Sequence, residues 1–336
     1  MITGGTLNES RKALELARTD PLLYSTAGFH PTRCLELEDD TEVKIQELIK
    51  LCHDNPDKVV AVGEFGLDYD RLEFCPKDVQ LKNFTKQLEV AEQTRLPLFL
   101  HCRNAANDLL SILKTNHDRY TVGVVHSFDG HYNEAMSFIN MGFYIGLNGC
   151  SLKTDDNLEV VRKLPVDKLM IETDCPYCEI KPSRTSFKFI QTKFESVKKE
   201  KWTAKKMVKG RNEPCTIIQV LEVIAAIKEM DEQELADQLY ANTIKVFFDP
   251  GHYTVMENVG QFAVTVSREG DLNHSICVDF KTEDGTANAG SDYEAVEGTL
   301  IFRSSEAHKQ VNCDGCFVCN KKLSFFSPFL INQINV

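Results

Sequence analysis

The chain has 336 residues, 42% of them hydrophobic, and a formal net charge of -12 at neutral pH. That length suits one large domain with a smaller one, or two of ordinary size. The acidic balance excludes a wholesale nucleic-acid coat but leaves room for a local basic patch.

In chain order, Met1-Ile2-Thr3 reads as the end of a buried strand and Gly4-Gly5 as the turn after it. The opening "MITGGTLNESRKALELARTD" has no apolar core of a secretory signal. No apolar run is long enough for a membrane helix. Short runs rich in β-branched residues then recur: "YSTAGFH", "KVVAVGEFGLD", "LPLFLHCR", "TVGVVHSF", "GFYIGLNG" and "KLMIETD". Helical patterns such as "DVQLKNFTKQLEVAEQT" and "EAMSFINMG" lie between them. The runs do not alternate polar with apolar, so they predict strands buried on both faces of a parallel sheet. Their starts fall roughly 20 to 40 residues apart, the span of a strand and its crossover helix.

Each run closes on a polar or ionisable residue: His30, Glu64, His101, His126, Asn148 and Asp174. In a (β/α)8 barrel the carboxyl ends of the strands converge on one site. An open doubly wound sheet would gather its ligands at one crevice instead. The expectation is an α/β, TIM-barrel-like fold. "MIT" and the six runs make seven strands where such a barrel has eight, so the first strand is expected to be missing from this sequence.

Residues 181–210 hold nine Lys and one Arg against two Glu, with Phe187, Phe189, Phe194 and Trp202 interleaved. The segment follows Asp174 and is expected to overhang the mouth of the barrel. Lys198, Lys199, Lys205 and Lys206 are its candidate phosphate contacts. The plainer alternative is a solvated helix face. Arg211-Asn212-Glu213-Pro214 is expected to open the last helix, with Pro214 near its first turn. Beyond Phe248 the pattern changes to period-two alternation with turn signals, which predicts antiparallel β structure. Twelve cysteines occur. Those of the first 280 residues read as reduced thiols of an intracellular protein, in the nucleus or cytoplasm. Cys175-x-x-Cys178 and the tail Cys313-x-x-Cys316-x-x-Cys319 carry no evident metal or redox role.

Glu64, His101, His126 and Asp174 form the candidate metal set. Two imidazoles with two carboxylates suit a divalent ion such as Zn, Mn or Mg. A carboxylate at Glu64 can bridge two ions about 3.5–4 Å apart. His30 precedes Pro31 and can position a phosphate, ligate an ion or cap the next element. Arg103, two residues after His101, can clamp a phosphate bidentately or form a surface ion pair. A single strand-end histidine is more often only a hydrogen-bonded structural residue. The weight rests on four such residues at successive strand ends.

The segments "GFHP", "GEFGLDYDR", "LHCR", "VVHSFDG", "IETDCPY" and "RNEP" resemble the signature set of the TatD family of metal-dependent deoxyribonucleases. The resemblance covers residues 1–248 and implies an amidohydrolase-type TIM barrel that hydrolyses DNA phosphodiesters. It implies metal ligands at Glu64, His101, His126 and Asp174, catalytic roles for Glu64, Asp174 and His30, two divalent ions, and DNA as the partner. Residues 251–309 resemble the first half of a Calx-beta domain, with Glu257 and Asp292 at positions that hold calcium in that family. Two carboxylates are too few for the oxygens that calcium takes, so no tight calcium site is expected. Residues 310–336 are unassigned. Two other readings stay open: a metal-dependent hydrolase of a small ester or amide, and an inactive or DNA-binding-only truncated or fused product.

Overall fold

The six apolar runs become six parallel strands in a computed structural model. They are β1 (Ser25–Ala27), β2 (Val59–Asp68), β3 (Leu98–Arg103), β4 (Gly123–Val125), β5 (Tyr144–Leu147) and β6 (Leu169–Ile171). The described residues are 1–248, 261–268, 275–283, 297–304, 306, 308–314, 322–326 and 334–335. The strands pair in chain order, β1-β2-β3-β4-β5-β6, every pair parallel. Burial on both faces explains their continuous apolar character: every residue of β2 except Glu64 is buried.

Helices alternate with the strands. They are α1 (Leu7–Ala17), α2 (Leu35–Glu38), α3 (Thr41–His53), α4 (Lys77–Thr94), α5 (Ala106–Thr115), α6 (Tyr132–Asn140), α7 (Asp155–Lys163), α8 (Ile217–Lys228) and α9 (Glu232–Phe247). This alternation gives the TIM-barrel-like fold. Local chemistry sets the helix ends. The Thr6 hydroxyl accepts from Glu9 N at 3.1 Å to cap α1. Leucine, isoleucine and phenylalanine side chains of α3 and α4 join those of β2 and β3 in one apolar core.

Four expectations change. Met1–Thr3 contributes one parallel bridge, Ile2 to Ser25, rather than a strand, so the sheet has six strands with that bridge at its edge. Glu64 lies inside β2, not at its end, because the strand runs on to Asp68 past a register shift against β3 between Gly63 and Phe65. Pro214 starts a short 3-10 turn, Pro214–Thr216, and two helices follow it instead of one. The basic segment is not a helix face. It carries two short strands, β7 (Ser196–Val197) and β8 (Met207–Val208), paired parallel around a 3-10 turn at Lys199–Lys201.

Met1–Phe247 and Phe248–Val336 are separate compact units. The second contains β9 (Gln261–Arg268), β10 (Ile276–Glu283), β11 (Glu297–Phe302), β12 (His308–Asp314), β13 (Lys322–Phe326) and β14 (Ile334–Asn335). They form two antiparallel three-stranded sheets, β11-β10-β13 and β12-β9-β14. Glu257, Asp292, Cys316 and Cys319 lie outside the described residues. Among the described residues, no helix is long and apolar enough to cross a membrane.

Candidate metal centre

Glu64 stands at the middle of the centre. Its Oε1 lies 2.7 Å from His101 Nδ1, 2.7 Å from His126 Nε2 and 3.4 Å from His30 Nε2. Burial alone would raise this carboxyl. The positive His126 ring and hydrogen bonds from His101, His126 and His30 outweigh burial and hold it well below the ordinary carboxylate range.

Two glycines at the start of the chain hold the backbone of this group. Gly4 O accepts from Glu64 N at 2.8 Å, and Gly5 O accepts from His30 N at 3.0 Å. A Cβ on Gly4 would stand 2.7 Å from Thr26 O and 2.8 Å from Ser10 Cα, so only glycine lets the chain approach this closely. Gly63, just before Glu64, has φ +143°, and a Cβ there would meet the backbone and side chain of Phe99.

Behind two of the imidazoles stand two further carboxylates. Asp68 Oδ2 lies 3.1 Å from His101 Nε2 and also takes a bond from Arg71 at 2.9 Å. Its own tendency to rise on burial is outweighed by His101 and Arg71, so it stays ionised. Glu172 Oε1 lies 3.5 Å from His126 Nδ1, accepts from Asn148 Nδ2 at 3.2 Å, and accepts from Ser127 N. Burial lowers both imidazoles, but Asp68 and Glu64 raise His101, and Glu64 and Glu172 raise His126 well above the ordinary range. His30 goes the other way. Burial lowers it despite Glu64, which keeps the ring neutral.

His30 is three residues past β1, His126 one past β4, and Asp174 three past β6. Ser127 and Asp174 take left-handed φ of 51° each, a conformation concentrated at working sites. Burial raises the Asp174 carboxyl, with His126 opposing the rise. The Cys178 thiol reaches Asp174 Oδ2 at 3.2 Å and Cys150 Sγ at 2.7 Å. The neighbour of Cys178 is therefore Cys150, on the loop after β5, and not Cys175 of its own C-x-x-C.

The expected residues do not all come together. His30, Glu64 and His101 each offer an atom within 4.8 Å of the others. His126 joins them through Glu64, whereas Asp174 is outside that tight cluster. Arg103 gives Nε to Asp70 at 2.9 Å and Nη1 to Asp129 at 2.7 Å. Lys198, Lys199 and Lys205 are exposed on the ribbon, and Lys206 pairs with Glu195 at 2.5 Å. The ribbon's flanks are tied to the strand-end loops: Arg184 Nη1 donates to Gly149 O at 2.9 Å, and Asn212 Nδ2 donates to Thr173 O at 2.9 Å. Asp68, Glu172, Gly4 and Gly5 do not stand out in the sequence as parts of a site. The first two lie within "GLDYDR" and "IETDCPY", and those motifs are the only signal that points to them.

Imidazoles and a buried ionised carboxylate gathered at the carboxyl side of a parallel α/β sheet define a hydrolase of the metal-dependent barrel class. The TatD related DNase family model matches residues 1–248, and the chain belongs to that family. It is 46% identical over 255 residues to the deoxyribonuclease Tat-D of Schizosaccharomyces pombe, covering 73% of this chain and 81% of the relative. It is 32% identical to the 3'-5' ssDNA/RNA exonuclease TatD of Salmonella typhimurium, over 74% of this chain and 86% of that one. A solved TatD family hydrolase from Entamoeba histolytica superposes with a TM-score of 0.69 at 39% identity, covering 73% of this chain and 83% of that one. A Calx-beta domain model matches residues 240–314.

Proposed function

We propose that the chain is a metal-dependent deoxyribonuclease that hydrolyses DNA phosphodiester bonds with water. The observation that carries this reading is the single carboxylate oxygen of Glu64 held among three imidazoles. Such a donor set fits a divalent ion: an ionised buried carboxylate, a neutral His30, and two rings whose protons an ion would displace. His30, Glu64, His101 and His126 are the residues that would hold it, with Asp174 as a further ligand. Mg, Mn or Zn would suit these donors, and Glu64 would share in holding a second ion. When bound, the ion lowers the pKa of a water and neutralises charge on the phosphate.

The chain's own residues do the rest. Asp174 is half-buried and raised in pKa by that burial, and accepts a proton from the attacking water. Asp68 and Glu172 fix the orientation of His101 and His126. His30 lies beside His101, with ring centroids 4.5 Å apart, and orients the phosphate on that side. Arg103 reaches the phosphate with Nη2, since its other nitrogens serve Asp70 and Asp129. Lys198, Lys199, Lys205 and Lys206 track the backbone of the DNA. Buried free thiols such as Cys34 and Cys52 support a reducing compartment, the nucleus or cytoplasm.

The deciding experiment is cleavage of a labelled DNA with Mg, Mn or Zn against the same reaction in chelator, with Glu64→Ala alongside. Cleavage that needs an added ion and is lost in the variant carries the reading. Cleavage of a small phosphate or carboxylic ester with none of DNA would favour the small-substrate hydrolase. DNA binding without cleavage in any ion would favour the binding-only product.

A further inference from the structure

Trp202 is the chain's single tryptophan, and it is 51% exposed. A large aromatic side chain left in water forgoes the burial that usually stabilises it. Its ring is nonetheless held in place. The indole Nε1 donates to Lys206 O at 2.7 Å, and the backbone N donates to Lys199 O at 3.3 Å. The turn beneath it is pinned between β7 and β8, where Met207 N donates to Glu195 O at 2.9 Å and Lys209 N to Val197 O at 2.8 Å. One edge of the indole is fixed and its surface faces water. Lys198, Lys199, Lys201 and Lys205 lie within four residues of it in the chain, exposed and without an ion pair among the described residues.

A fixed, exposed indole among unpaired ammonium groups matches one ligand chemistry well. Every nucleobase has a π-face, and its phosphate carries the charge the lysines lack. A base inside a duplex is already stacked on both sides and cannot offer that face. An unpaired base can. Asn212, just past the ribbon, donates from its backbone N to Pro176 O at 3.0 Å, which ties this element to the loop that carries Asp174.

We propose that Trp202 is a stacking platform that binds single-stranded DNA through an unpaired base, with the neighbouring lysines holding its phosphates. The inference rests on the nuclease reading and names the residue that would take an unpaired base of the DNA. It places the specificity in a ribbon rather than in the buried centre.

The single tryptophan makes the test direct. The full-length protein in chelator is titrated with oligothymidine while tryptophan emission is followed, and the same oligonucleotide is then tested for cleavage with added ion. The expected result is saturable quenching. With binding read instead from the anisotropy of a dye-labelled oligothymidine, since neither variant retains a tryptophan, Trp202→Ala raises the dissociation constant by about tenfold, and Trp202→Phe restores most of the loss. The salt dependence of binding is unchanged in Trp202→Ala but is flattened by removing Lys198 and Lys199, because stacking releases no counterions. No quenching by an oligonucleotide that the protein cleaves would overturn the inference and leave the nuclease reading standing. Equal quenching and affinity with a blunt duplex would overturn it as well. Quenching without cleavage in any ion would support the platform and defeat the nuclease reading.

Discussion

The buried centre and the basic ribbon hold their functional groups in opposite ways. At the centre every side chain is fixed by another: Glu64 by three imidazoles, His101 by Asp68, His126 by Glu172. On the ribbon the backbone is fixed by turns and a short strand pair, while Lys198, Lys199, Lys201 and Lys205 project into solvent and only Lys206 among these lysines is held, by Glu195. Chemistry needs atoms placed to within fractions of an ångström, so it is built on a packed sheet. Gripping a flexible polyanion needs charge and reach, which a surface loop supplies. The contrast predicts that changes at the centre act on turnover, and changes on the ribbon act on binding and salt dependence.

Glu64→Ala should break the centre most completely. It removes the carboxylate on which three rings converge and leaves two buried imidazoles that lose their main counter-charge. Single-turnover DNA cleavage is expected to fall by more than about 100-fold, beyond the usual effect of removing a group behind a ligand. A loss of DNA affinity with unchanged single-turnover rate would reverse the assignment of the two regions.

Asp68→Asn and Glu172→Gln come next. Each keeps the shape and removes the charge behind one imidazole, so metal affinity should weaken about 10- to 100-fold. Isothermal titration with Zn or Mn, with DNA affinity in chelator as the control, checks this. These two residues also mark how far the sequence can be read. Strand-end residues such as His101 and His126 are legible because each closes an apolar run, at the point where a buried strand reaches the end of the sheet. Asp68 ends the run "KVVAVGEFGLD" and Glu172 lies two residues before Asp174, but whether either faces a ring is a matter of register across strands. Gly4 and Gly5 are further from view. Their carbonyls hold Glu64 and His30, which lie far from them along the chain. Glu64 is legible as a functional carboxylate, but its place within β2 is not, because the shift between Gly63 and Phe65 leaves no mark in the hydrophobic pattern. The basic ribbon is legible in charge and illegible in shape, since two-residue strands have no period to detect.

Replacing Lys198, Lys199, Lys205 and Lys206 together by Ala should loosen DNA binding by about tenfold at physiological salt. The slope of log affinity against log salt should fall by about 2 to 3, given a loss near 0.7 per phosphate contact on a single strand. Lys206 contributes least, because Glu195 already neutralises it at 2.5 Å. Cleavage of a small phosphodiester should hardly change. An equal loss on both substrates would show that the ribbon supports the centre structurally and would erase the contrast.

Arg103→Ala should give the smallest effect, and it lies on the border between the two regions. The residue stands at the end of β3, two positions from His101, yet it behaves like a ribbon residue in being half-exposed. Two carboxylates already engage it, Asp70 through Nε and Asp129 through Nη1. A guanidinium shared in this way has one nitrogen, Nη2, left for a phosphate, so it makes a single contact rather than a bidentate clamp. The partly exposed pairs are each worth about 0.5–1 kcal/mol to the fold. The KM for DNA should therefore rise about threefold with kcat nearly constant, and the melting temperature should drop slightly. Arg103→Lys separates the two contributions. A lysine keeps one charge for the phosphate but cannot reach Asp70 and Asp129 together, so KM should recover while the melting temperature does not. A large fall in kcat in either variant would move Arg103 from the gripping surface into the chemistry of the centre.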